Sequence, residues 1–253
     1  SIPGIFLILA LLNVAVAIYI YTVIPEFLLR FVAWCLANVL YRVRVDHPER
    51  LPAEGAAVLA ANHISFIDSL LMSSASPRPV RFIMDAEYAR LPILRFLFRD
   101  AKVIPIAPAG EDPDMLGRAY DRIAEELSEG EVVCIFPEGG ISSDGNLAPF
   151  RRGIEHIVQR TPVPVVPVAL VGLWGSFFRR KGGRAMSRPF RRFWSRVEIR
   201  VGEAIAPESV TAERVAERIA ELGSWDAPPP YQPPEGNSEF GIRNSELPTT
   251  HAK

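Results

Sequence analysis

Six short apolar runs constrain this chain most. Ala56–Ala61, Val80–Met84, Lys102–Ile106, Val132–Phe136, Val165–Val171 and Val197–Val201 are strand candidates, rich in β-branched residues that suit a pleated, buried surface. Ala56–Ala61 is continuous rather than alternating, as a strand covered on both faces is. Tyr41–Asp46 alternates Val43 and Val45 with Arg42, Arg44 and Asp46, the mark of a half-exposed strand. Helical patterns fall between the runs. Phe66–Ser74, Phe150–Gln159 and Thr211–Leu222 are apolar on one side, and Leu116, Ala119, Ile123 and Leu127 form one stripe with acids opposite. Strands alternating with helices predict an α/β fold, with a mixed, mostly parallel central sheet flanked by helices. The 253 residues suffice for one large domain of this kind.

The N-terminus differs. Ile2–Ile24 carries no charged side chain over 23 residues, a helix of ~34 Å and long enough to cross a bilayer core. No basic segment precedes it, which fits a signal peptide poorly. Pro25-Glu26 interrupts it, and Phe27–Tyr41 reads as a second helix whose Phe31, Trp34 and Tyr41 suit a lipid–water interface. The pair reads as one span plus an interfacial helix, or as a re-entrant pair; the sequence leaves both open. The chain starts at Ser1, inside an apolar stretch, as a piece of a longer protein would.

Residues 1–41 are therefore expected to form apolar membrane-anchoring helices and 42–223 the folded domain. Residues 224–253, rich in Pro and polar side chains, are expected to be a disordered tail, with 236–253 set aside as an appended segment. Cys35 and Cys134 lie in apolar runs without a CxxC partner, so both are expected to be buried, reduced thiols. The net charge of −1 argues against a global field for nucleic acid. Local patches matter more: Arg179–Arg200 holds nine Lys/Arg against one Glu, and Glu111–Glu131 eight acids against two Arg.

Chemistry centres on Ala61-Asn62-His63-Ile64-Ser65-Phe66-Ile67-Asp68, at a strand-to-helix junction. A carboxylate that fixes an imidazole and stabilises the imidazolium lets the ring take a proton from a hydroxyl. Two fully helical residues five apart do not share a face. His63 is thus expected just before the helix, with Ser65 as N-cap and Asp68 at the third helical position, reaching back. The spacing also suits a simple helix cap with His63 a satisfied junction residue. Some seventy residues on, Ile135-Phe136-Pro137-Glu138-Gly139-Gly140 follows a strand. Glycines there let backbone N–H groups approach an anion, and Glu138 could bond substrate hydroxyls. Arg151 and Arg152 precede a helix, placed to meet a phosphate. His47, His156 and His251 lie far apart without ligand spacing, and no metal site is expected.

These residues resemble a family. Asn62-His63-x-x-x-x-Asp68 resembles the NHxxxxD block of glycerolipid acyltransferases of the lysophosphatidic-acid type. Phe136-Pro137-Glu138-Gly139 resembles its FPEG block, and Val163–Val168 its late proline-containing strand. The resemblance covers roughly residues 40 to 205. It implies that His63 is the general base on the acceptor hydroxyl, oriented by Asp68, with no covalent acyl-enzyme. It implies a thioester co-substrate, acyl-ACP or acyl-CoA, and no bound cofactor. It implies acceptor binding by Glu138 and Gly139, with Asn62, Ser65 and Gly140 in the same two blocks. Family members carry a phosphate-binding Arg in an intermediate block; the matching stretch Ala101–Pro108 offers only Lys102, and Gly140 stands where Thr or Ser is usual. With Phe150–Glu155, the pattern is closer to the 2-acylglycerophosphoethanolamine acyltransferase branch. That implies lysophosphatidylethanolamine as acceptor and a fusion to a transporter or acyl-ligase domain. The alternative acceptor is 1-acylglycerol-3-phosphate.

Trp174–Trp194 interleaves aromatic with basic residues. Such a stretch suits an anionic phospholipid surface or an acidic acyl carrier protein, and with the apolar N-terminus it favours these over nucleic acid. The cations predict an inner-membrane protein with its catalytic domain on the cytoplasmic side. Among competing functions, a serine lipase lacks its GxSxG elbow. A catalytically silent lipid-binding module is disfavoured by the intact His63–Asp68 pair.

Overall fold

A computed structural model of the chain describes residues 2–23, 25–65, 67–89, 99, 101–108, 110–142, 144–173, 180–181, 184–185 and 194–231. In chain order the elements are α1 (Ile2–Val23), α2 (Pro25–Leu40), β1 (Tyr41–Asp46), β2 (Ala57–Ala61), α3 (Asp68–Ala75), β3 (Val80–Asp85), α4 (Ala86–Ala89), β4 (Ile104–Ile106), α5 (Pro113–Ser128), β5 (Val132–Ile135), α6 (Gly153–Arg160), β6 (Val165–Val171), β7 (Arg180–Lys181), β8 (Arg184–Ala185), β9 (Ser195–Val201) and α7 (Ala212–Gly223). Every strand anticipated from a β-branched run is present.

Seven strands form one sheet in the order β1-β9-β6-β2-β5-β3-β4. All neighbours run parallel except β6 and β9, so the sheet is mixed and mostly parallel. Alternation along β2 divides the core in two. Leu59 and Ala61 point to the side of Ala37, Leu71 and Met72 on α2 and α3. Val58 and Ala60 point to Ile123 on α5, Ile154 on α6 and Ile219 on α7. Continuous apolar runs form strands here because both faces are covered. The covering helices have clear starts. Asp112 accepts from Met115 N–H at 2.8 Å with Pro113 next in line, and Thr211 accepts from Arg214 N–H at 3.1 Å.

The two N-terminal helices meet the domain through a narrow face. Ala33 and Ala37, one turn apart, are buried against α3, and Arg30 Nη2 donates to Ser76 O at 2.5 Å. Trp194 closes the end of α2, giving its indole N–H to Val39 O (2.8 Å) and its main-chain N–H to Leu40 O (3.0 Å), with Arg42 over its ring. The rest of the pair is bare. Ile5, Phe6, Leu7 and Ile8 are each 60–68% exposed. Four successive helical residues point in all directions, so α1 is apolar all round. Phe31, Trp34 and Val39 of α2 are also exposed. Among the described residues, no helix is long and apolar enough to cross a membrane.

Several expectations need correcting. Tyr41 opens β1 rather than closing α2. Cys134 is buried, which pushes its thiol up, but Cys35 is only half-buried. The tail is ordered further than composition predicts: Ser224 ends α7 in the left-handed conformation, and Trp225 packs against both core layers. Residues 232–253 lie outside the described residues, as does most of the basic aromatic stretch.

Candidate active site

The carboxyl ends of β2 and β5 lie side by side, paired as Ala57↔Val132 through Ala60↔Ile135. Chain leaving these ends must turn over the sheet edge, where α/β proteins hold ligands. The two motifs meet here. His63 follows β2, and its Nδ1 lies 2.8 Å from Asp68 Oδ2. The same oxygen accepts the main-chain N–H groups of Ile64 (2.7 Å) and Ser65 (2.8 Å). Asp68 is fully buried and is the first residue of α3. It therefore ties the junction to the helix start, where the helix dipole favours a negative charge. The His63 side chain is 21% exposed.

The second motif grips His63 from other directions. Phe136 stacks on the imidazole, with centroids 4.2 Å apart and planes 16° from parallel. Glu138 Oε1 accepts the His63 main-chain N–H at 2.6 Å, and Oε2 accepts Ala148 N–H at 3.0 Å. His63 O accepts Ser142 N–H at 2.8 Å. Glu138 is 7% exposed. Burial pushes it up to about 7, although the bonds from Ala148 and His63 pull the other way.

Gly139 shows why this loop needs glycine. Its φ is +70°, and an added Cβ would lie 2.4 Å from Arg151 Nε. The missing side chain lets the Arg151 guanidinium rest on the loop, while Arg151 N–H donates to Pro137 O at 2.9 Å. Arg151, Gly139 and Gly140 are exposed, and space beside Gly140 is open. Arg152 is also exposed, at the start of α6. Among the described residues, no group of three or more His, Cys, Asp or Glu is arranged to hold a metal ion.

Three anticipated binding residues are placed differently. Asn62 is fully buried; its amide donates to Leu170 O (3.1 Å) and accepts Leu170 N–H (2.7 Å). It extends the β2–β6 ladder beyond the last main-chain pair and does not face a ligand. Ser65 is fully buried and does not cap α3, whose cap position is Ile67 with no side-chain bond. The carboxylate of Asp68 takes the junction's main-chain donors instead. Lys102 stays away from the site. Ile104 pairs Ile83, and Phe82 pairs Cys134, so Lys102 enters level with Val133, at the far edge of the sheet from β2. Sequence reading overlooked the Phe136 ring against His63 and the Ser142 and Ala148 main-chain donors. The place of Phe136 as the first residue of the FPEG block was the available signal.

The site thus sets a histidine–aspartate pair at a strand-to-helix junction of an α/β sheet, with a glycine-bearing loop beside it. A family model described as Acyltransferase matches residues 42–171, and the chain belongs to this family. It is 32% identical over 133 residues to a chloroplastic 1-acyl-sn-glycerol-3-phosphate acyltransferase of Brassica napus, a match over 52% of this chain and 38% of that protein. It is 27% identical over 199 residues to a 1-acyl-sn-glycerol-3-phosphate acyltransferase of Chlamydomonas reinhardtii, over 78% of this chain and 57% of that one. The chain thus spans well under two thirds of either relative. The crystal structure of the 1-acyl-sn-glycerophosphate acyltransferase PlsC from Thermotoga maritima superposes with a TM-score of 0.57 at 23% identity, over 73% of this chain and 72% of that one; it shares the fold.

Proposed function

We propose that this protein moves a fatty acyl group from a thioester, acyl-ACP or acyl-CoA, to the free hydroxyl of a lysophospholipid. The observation that carries this reading is the 2.8 Å contact of His63 Nδ1 with Asp68 Oδ2, in a ring still partly open to solvent. With Nδ1–H donated to Asp68, Nε2 takes the hydroxyl proton as the oxygen attacks the thioester carbonyl. The C–S bond then breaks, and the thiolate leaves with the proton from the imidazolium. A thioester is already activated, so one base and good positioning suffice without a covalent acyl-enzyme. The exposed Arg151 guanidinium over Gly139, and the open space beside Gly140, suit an anionic acceptor headgroup.

The relatives' names support 1-acylglycerol-3-phosphate as acceptor better than lysophosphatidylethanolamine, the acceptor favoured on sequence grounds. An assay offering lysophosphatidate and lysophosphatidylethanolamine with the same labelled donor tests the choice. Faster transfer to lysophosphatidate is expected; preference for the ethanolamine lipid would restore the other branch and its fusion to a transporter or acyl-ligase domain.

The site faces an apolar layer. Leu59 and Ala61 point to the α2–α3 side, His63 continues their alternation, and Phe136 packs with the same cluster. The bare α1–α2 pair is the surface that a membrane would cover, holding the domain on the cytoplasmic face of the inner membrane. Liposome flotation tests this: Ile8→Lys with Leu12→Lys should cut the bound fraction ~10-fold or more, given that cations set among acyl chains are costly. Unchanged flotation would remove the anchor from the proposal.

A further inference from the structure

We propose that Glu138 is a positioning residue, which sets the His63 main chain through its N–H rather than binding the acceptor. This rests on the reading of His63 as the base and departs from the acceptor role implied by the FPEG resemblance.

Each Glu138 carboxylate oxygen already holds a main-chain donor, and one donor is His63 itself. The side chain is nearly sealed from solvent, so a headgroup meets Arg151 and the exposed glycines before it meets this carboxylate. Its other role is visible in the geometry. The backbone of His63 is held at N–H by Glu138 and at C=O by Ser142. Its ring is held at Nδ1 by Asp68 and on one face by Phe136. Four contacts from three segments leave the imidazole one orientation. Glu138 also ties β5's exit to the 142–148 loop through Ala148, so the two motifs move as one body. The charged groups facing it are His63, whose charge favours its ionised form, and Asp68, which opposes it; Arg151 lies one residue along the loop. Near neutral pH the carboxylate gains and loses its proton, and protonation removes one of its two acceptors.

An acceptor ligand and a positioning residue fail differently. In Glu138→Gln and Glu138→Asp, kcat at saturating donor and acceptor should fall ~10-fold or more, with the acceptor KM changed less than ~3-fold. Full recovery of kcat at high acceptor would overturn the proposal. A second measurement needs neither activity nor a change at position 138. In the His63→Ala variant the imidazole is gone but the amide of residue 63 remains. Its NMR signal and that of Ala148 should shift together with pH, sharing one midpoint, because one carboxylate accepts both N–H groups. Independent titration of the two amides would also overturn the proposal. Retention of acyl transfer by His63→Ala, with the amides still titrating together, would instead sink the base assignment and leave the clamp.

Discussion

The two ends of the sheet treat buried carboxylates in opposite ways. At the amino end, Glu126 is 1% exposed and lies against Arg81, itself 2% exposed, at 3.0 Å. Its other oxygen bonds Arg122, and Glu131 bonds Arg81 (3.3 Å) and lies 3.5 Å from Arg78. Arg78 also donates to Gly55 O and Gly130 O, closing the loops that feed β2 and β5. Every acid there has a guanidinium. At the carboxyl end, the partners described for Asp68 and Glu138 are main-chain N–H groups and the His63 ring. Ion pairs cancel their own charge and leave a static joint; acids held by amides have no cation to cancel them and can respond to a neighbouring imidazole. The lesson is that burial alone does not mark a site. What surrounds the carboxylate does.

Substitutions at the two ends should therefore separate rate from stability. His63→Ala should lower acyl transfer by ~10³-fold, within the usual span for a general base, with the circular dichroism spectrum and Tm near wild type. A comparable loss of folding would turn the carboxyl end into a second structural joint. Glu126→Gln should do the reverse: leave the buried Arg81 with Glu131 as its remaining carboxylate, cost ~1–3 kcal/mol in urea unfolding, and leave kcat per folded molecule unchanged. A stable Glu126→Gln protein would erase the contrast.

Asp68→Asn sharpens the comparison because it acts on both quantities. Its amide oxygen can take the place of Oδ2, but the charge that strengthens the three bonds there is lost and an NH2 is buried where Oδ1 stood, costing ~1–3 kcal/mol. It should also lose ~100-fold in rate by releasing the ring, as read from steady-state kinetics on the folded fraction. Wild-type turnover in this variant would refute the pairing.

A further effect is a pH dependence. The folded value of Glu138, about 7, lies above its ordinary 4.5, so the protonated form favours the fold. That contribution is complete below pH 4.5 and is lost as pH rises through about 7, a change of at most ~3 kcal/mol. Between pH 4.5 and 8, wild type should lose this much more stability than Glu138→Gln in parallel denaturant titrations. Equal losses would mean that the carboxylate is not buried in solution.

Much of the fold was legible because its signals are local. β-Branched runs become strands wherever both faces can be covered, and the Leu116–Leu127 stripe settles on the sheet with Asp121 and Glu125 outward, although Glu126 turns in to meet Arg81. The His63–Asp68 pair was legible for the same reason: five residues suffice for a side chain at a helix start to reach back over the junction. What misled was polarity near the motif. Asn62 and Ser65 have side chains that bind ligands elsewhere, and here both are buried; in Asn62 the amide completes a ladder with a strand 108 residues away. Lys102 has the right charge, but β4 delivers it to the wrong edge.

By itself, the sequence determined the α/β layering, the apolar character of residues 2–23 and the local acid–imidazole pair, because periodicity and short-range geometry decide these. Only the tertiary structure decided that Phe136 stacks on His63 and that Glu138 grips it across 75 residues. Those contacts exist because parallel pairing sets the ends of β2 and β5 side by side. Strand order is a property of the whole chain's packing, which no local window of residues records.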